Sequence, residues 1–219
     1  PSPCLLANKE IFWTKKADQD KWVVHMKAGA SGESRVLIDP NTWADDGATA
    51  LAGWEPSENG KLLAYAVQDG GTDWRIIRVL DVETGEPLED EIRWAKFTGI
   101  SWLGNKGFFY SRFPEPEEGQ DFQALNYNQA VWYHELGTPQ SQDRMVFATP
   151  DHPERGHGLG VSDDGRWGFV ISSLGTDAKY EVHVIDFADE GGEWKARPLV
   201  TGFENAWNPI DTIGTRAFF

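Results

Sequence analysis

Apolar and polar residues alternate along most of the chain in short runs, each ending at a turn rich in Gly, Asn, Asp or Pro. A helical stripe at i, i+3, i+4 and i+7 never persists for three turns, so the period is that of strands. Three segments repeat one pattern of strand, tight polar turn and second strand: LAGWEPSENGKLLAYAV, FTGISWLGNKGFFYSRF and GHGLGVSDDGRWGFVISS. In each, a serine leads into a turn ending in glycine: Ser57 to Gly60, Ser101 to Gly104 and Ser162 to Gly165. Glycine there supplies a positive φ without steric cost. A third strand follows (WRIIRVLDV, AVWYHEL, YEVHVIDF), and then a more polar fourth (GEPLEDEI, DRMVFAT, EWKARPLV).

The three serines stand 44 and 61 residues apart. The longer step holds PEPEEGQDFQALNYN, whose Pro, Glu and Asn content reads as an inserted exposed loop. Without it both steps come to about 45 residues, the length of a four-stranded propeller blade. The ends read as incomplete units. EIFWTK, WVVHMKA and RVLID look like the last three strands of a blade without its inner one. AWNPIDTIGTRAFF supplies an inner and a second strand, with Trp207 and Pro209 matching Trp54 and Pro56. The expectation is an all-β partial β-propeller of about four four-stranded antiparallel blades. Its limits are a partial blade at 9–39, blades at 50–92, 96–149 (inserted loop 114–129) and 157–200, and a partial blade at 203–219.

The aromatic load, 11 Trp, 12 Phe and 5 Tyr, favours the same conclusion, because rings pack well on pleated, half-buried surfaces. Trp54, Trp74, Trp94 and Trp102 are expected in the core. A net charge of −15 argues against nucleic-acid and anionic-membrane partners, which bind through Lys and Arg. Cys4 is the sole cysteine, so no internal disulfide or CxxC zinc site can form. No apolar run reaches the roughly 18 residues of a membrane-spanning helix. The chain opens on Pro without a basic-then-apolar leader, which suggests numbering that begins inside a larger product. Cytoplasm and periplasm both stay open as compartments.

Motifs that would carry chemistry do not hold up. The nucleophile elbow GxSxG is absent; GISWLG places its second glycine one residue late and lies in a strand–turn–strand unit. His152 and His157 in DHPERGH share neither a helix face nor a strand face, so they read as exposed loop imidazoles and not a metal pair. His134 in WYHEL reads as a surface or interstrand residue. GHGLG leads into a strand and offers no helix N-terminus for a phosphate. The Asp163-Asp164-Gly165 and DGGTD turns lack the twelve-residue calcium loop. No metal or cofactor is expected.

LIDPNTW, DDGATAL, SENGKLLAYAVQDGGTDWRIIRVLDVETG, GFFYSRF, WYHELGTPQSQD and SDDGRW, in that order, resemble the N-terminal propeller of prolyl oligopeptidases, most clearly from about Val36 to Val200. QALNYN and RGHG place bacterial members nearest. The resemblance implies a seven-bladed ring that caps a C-terminal α/β-hydrolase domain carrying a Ser-Asp-His triad. That domain would cleave short proline-containing peptides, while the propeller gates and filters them by size. No triad residue falls within this chain, so the chain alone is expected to be inactive and without catalytic residues. By alignment Phe109 matches the aromatic of a substrate pocket, with packing between blades as its competing role. Ser173 falls where animal members carry a peptide-binding arginine, and Thr176 where they carry a cysteine. Two other classes compete: a stand-alone peptide- or protein-binding propeller, and self-association of open propeller ends.

Overall fold

The computed structural model describes residues 4–6, 9–29, 31–43, 48–70, 72–119, 125–189 and 193–219. The DDG of DDGATAL, Gly71 of DGGTD and positions 120–124 of the inserted loop lie outside them. Two compact units divide the chain at 93/94.

The first unit holds two antiparallel meanders. One runs β1 (Cys4–Leu6), β2 (Lys9–Thr14), β3 (Val23–Ala28), β4 (Ser34–Ile38); the other runs β5 (Ala50–Pro56), β6 (Leu62–Gln68), β7 (Arg75–Asp81), β8 (Pro87–Ala95). The first sheet thus has an inner strand that the alternation did not predict. At three residues, pairing Cys4 with Ile11 and Leu6 with Lys9, it is too short to show a period. The sheets share one core, in which Ile11, Val24, Met26 and Ile38 meet Leu63, Leu80 and Val82. Trp54 and Trp13 pack against it, their rings 5.5 Å apart.

In the second unit β9 (Ser101–Leu103), β10 (Gly107–Arg112), β11 (Ala130–Glu135) and β12 (Arg144–Phe147) form one meander. A second comprises β13 (Arg155–Val161), β14 (Trp167–Leu174), β15 (Tyr180–Asp186) and β16 (Arg197–Val200). A hairpin, β17 (Asp211–Ile213) with β18 (Arg216–Phe218), follows. Trp207 and Pro209 lie ahead of β17, whereas Trp54 and Pro56 lie within β5. Phe109, Val131, Val170 and Ile185 form the buried centre between the two meanders. Helical structure among the described residues is confined to 3-10 turns at Pro40–Thr42 and Gln140–Gln142.

Two of the three serine turns are the same structure bond for bond. Ser57 N–H donates to Leu62 O, Gly60 N–H to Ser57 O, and Leu62 N–H to Ser57 Oγ. Ser162, Gly165 and Trp167 repeat all three bonds. Ser101 differs. It sits inside β9, its Oγ accepts from Val161 N–H at 2.9 Å, and the turn occupies 104–106. A bulge also recurs in the outer strand of three sheets. Leu37, Val146 and Leu199 are the extra residues opposite Val24/His25, Val131/Trp132 and Val182/His183.

His134 is neither at the surface nor idle. Its ring is fully buried, with Nδ1 2.7 Å from Asp143 Oδ1, and the Tyr110 hydroxyl donates to Asp143 Oδ2 at 2.5 Å. A carboxylate can only accept, so Nδ1 carries the proton that faces it. The 3-10 turn of TPQSQD delivers Asp143 beneath the sheet.

Candidate functional site: a cavity beside strand β13

Strand β13 reads RGHGLGV, with Gly156, Gly158 and Gly160 at alternate positions and therefore on one face. A Cβ at Gly156 would come within 3.3 Å of both Gln129 Oε1 and Ser173 Oγ. The alternating glycines strip side chains from one face of a strand and leave room beside it. A cavity of about 500 Å³ occupies that room, lined by Phe97, Phe113, Asn126, Gln129, Arg155 to Gly158, Ser173, Thr176 and Tyr180. GHGLG thus has a role, although neither a phosphate nor a helix is involved.

Sheet register places the polar groups. Ser173 of β14 lies opposite Gly156 on one side and Tyr180 of β15 on the other. Thr176 sits in the turn after β14, just past Gly175, whose φ is 54°. Ser173, Thr176 and Tyr180 thereby line one cavity. Phe109, the third residue singled out from the sequence, does not line it. Its ring is 1% exposed, stacked on Phe187 at 5.2 Å and tilted against Tyr133 and Trp194. The reason is local: β10 is buried at every residue from Gly107 to Ser111, so period-two reasoning finds no open face on it.

Of the aromatics that line the cavity, Phe97, Phe113 and Tyr180, the most exposed is Phe97. It is 54% exposed, edge-on to Phe113 at 6.5 Å, with the Lys96 ammonium 5.2 Å from its ring. Its φ of 51° is unusual for a bulky residue, and such conformations gather at ligand clamps. Nothing in WAKFTG signals it, because a strained backbone leaves no hydrophobic period. Its neighbour Trp94 shares the feature, at φ 61°.

The cavity wall carries one residue of each charge, Glu154 and Arg155. Arg155 is tied to Glu181 at 3.0 Å and lies 4.8 Å over the Phe203 ring. His157 is buried, with Nδ1 2.9 Å from Ser172 Oγ and Nε2 3.0 Å from Thr149 Oγ1. Burial, reinforced by Arg155 and His183, pushes its pKa down to about 4, so the imidazole is uncharged at neutral pH. This corrects the expectation of an exposed loop imidazole. Ser172 and His157 have the composition of a nucleophile–base pair, but Ser172 is 0% exposed, so no substrate carbonyl reaches its hydroxyl. His152 stands apart, half exposed and 3.7 Å from Glu154. No group of three or more His, Cys, Asp and Glu able to hold a metal occurs among the described residues. The arrangement is suited to holding an uncharged, extended segment against an aromatic ring.

The comparisons with known proteins agree with this fold. The family model for the prolyl oligopeptidase N-terminal β-propeller domain matches residues 6–219. The prolyl endopeptidase of Elizabethkingia meningoseptica is 34% identical over 206 residues, covering 94% of this chain and 29% of that protein. A structure from a study of two prolyl endopeptidases and their inter-domain dynamics superposes with a TM-score of 0.88 at 42% identity, over 98% of this chain and 30% of the other. Prolyl oligopeptidase B from Galerina marginata, bound to a 35mer hydrolysis and macrocyclization substrate, gives 0.89 at 26% identity, over 99% and 33%. The chain thus spans about a third of the length of the relatives it matches, and its four-stranded sheets are propeller blades. It belongs to the prolyl oligopeptidase family, as the N-terminal β-propeller region of that family's proteins.

Proposed function

We propose that this chain is the peptide-admitting, substrate-screening propeller portion of a proline-specific serine endopeptidase. In this reading an α/β-hydrolase domain outside the chain supplies the cleavage chemistry. The observation that carries the reading is the cavity beside β13, which gathers Ser173 and Thr176 beneath an exposed aromatic ring. A volume of about 500 Å³ suits a few residues of an extended peptide and excludes a folded protein, so the cavity itself filters by size. A proline ring, apolar and flat-faced, stacks on Phe97. Ser173 and Thr176 hydrogen-bond the peptide backbone, a hydroxyl doing at 173 what an arginine would do with charge. Because Glu154 and Arg155 give the wall one charge of each sign, neutral peptides are preferred over strongly acidic or basic ones. With a net charge of −15, nucleic acid and anionic membrane surfaces are not among the partners.

Calorimetric titration of a short proline-containing peptide into the chain tests this. Thr176→Trp, at an exposed turn position, fills the cavity without touching the core, and is expected to weaken binding at least about tenfold, or 1.4 kcal/mol. Equal binding by Thr176→Trp and the unaltered chain would remove the cavity from the account.

A further inference from the structure

The exposed ring of Phe97 stands on a backbone that phenylalanine adopts reluctantly, so something must hold it there. Gln129 is 3% exposed and bonds to both walls of the cavity. Its Nε2 donates to Lys96 O at 2.9 Å and to Phe97 O at 3.4 Å, while its Oε1 accepts from His157 N–H of β13 at 2.7 Å. A second route joins the same walls. Ser111 Oγ donates to His157 O at 2.7 Å, and Ser111 N–H donates to Thr98 Oγ1, next to Phe97, at 2.7 Å. Together the bonds form a closed circuit, Phe97–Gln129–His157–Ser111–Thr98, in which Phe97, Gln129 and His157 also line the cavity, and Gln129 joins the other two directly.

We propose that Gln129 is a positioning residue for peptide recognition: it fixes the Phe97 ring at the cavity mouth and sets the gap between that ring and β13. The proposal rests on the peptide-binding reading given above. A glutamine suits the place because the two walls present opposite needs, carbonyl oxygens on one side and an N–H on the other. Its amide meets both at once, the NH2 donating to one wall while the oxygen accepts from the other. With the circuit intact the ring is preorganised, so a peptide stacking on it does not have to order it first. Gln129 therefore acts through Phe97 and makes no contact with the reacting bond.

The test is a double-mutant cycle on the 219-residue chain, read as affinity for a short proline-containing peptide and as the 19F signal of 4-fluorophenylalanine at Phe97, assigned by its loss in F97A. Q129L removes both sets of bonds. Q129E keeps the acceptor toward His157 and loses the donor toward Phe97, so it serves if Q129L does not fold. Either variant is expected to weaken the peptide about fivefold, the effect of one hydrogen bond. In the F97A background the same change is expected to have almost no further effect. The Phe97 19F line is expected to broaden or shift in the Gln129 variants. Affinity equal to that of the unaltered chain, or an equal loss with and without F97A, would overturn the proposal, since the latter is what a general scaffold residue would show. If the unaltered chain binds no peptide, the peptide reading falls separately. The 19F line then decides on Gln129: an altered line supports its hold on Phe97 and an unaltered one refutes it.

Discussion

Two buried histidines are held in opposite ways, and each gives a measurable consequence. His134 faces the carboxylate of Asp143, itself shared with Tyr110, so charge and donors are matched within an enclosed cluster. Asp143→Ala takes the acceptor from the His134 Nδ1–H and from the Tyr110 hydroxyl, and is expected to cost about 2–6 kcal/mol in urea unfolding, because each buried donor that loses its acceptor costs about 1–3 kcal/mol. His157 faces only hydroxyls, with Arg155 and His183 adding repulsion to any positive charge. Its pKa of about 4 lies below the ordinary 6.5. Between those values the unfolded chain binds a proton that the folded chain refuses, so stability falls as pH drops through that window. The slope from this one group is up to about 1.4 kcal/mol per pH unit. Thermal unfolding across that range should show the slope in the unaltered chain and a shallower one in His157→Gln. The family resemblance led to Ser173 and Thr176, because their string is colinear with the family's. It also led to Phe109, whose ring is enclosed by Phe187, Tyr133 and Trp194 and does not line the cavity beside β13. GFFYSRF and WAKFTG each offer a phenylalanine, and only backbone strain at Phe97 against full enclosure at Phe109 tells them apart.

Strand positions were readable because each blade strand alternates or runs apolar between turn residues, and the meander needs only local pairing. Repeat phase was readable where a side chain makes the turn, as at Ser57 and Ser162, and misleading at Ser101, where the serine belongs to a strand. The recurring outer-strand bulge was invisible, since one extra residue at Leu37, Val146 or Leu199 changes no hydrophobic period. The equivalence of the two serine turns can be tested. Ser57→Ala and Ser162→Ala remove the same bonds, so each should destabilise by about 1 kcal/mol. The larger loss is expected at Ser57, which is 0% exposed and leaves the Leu62 N–H without that acceptor. Urea midpoints of the two variants measure this directly.

The β17–β18 hairpin and the segment before it expose Ile210, Ile213, Phe218 and Trp207, a run of apolar surface rare on a solitary domain. The chain studied alone is therefore expected to self-associate with rising concentration, as sedimentation velocity would show, and a single monomeric species at every concentration would contradict this. Proline-specific cleavage is expected to need a hydrolase domain beyond these residues. The isolated chain should leave a chromogenic proline dipeptide substrate intact, and hydrolysis by it would move catalysis into the propeller. In the proposed function a peptide docks on the glycine-stripped face of β13. Amide NMR spectra of the chain, recorded while a short proline-containing peptide is added, test it most directly. Concentration-dependent shifts are expected at Phe97, Gly156, Gly158, Ser173 and Thr176, with the Phe109 core unmoved. Shifts confined to the first unit, or none at saturating peptide, would contradict such docking.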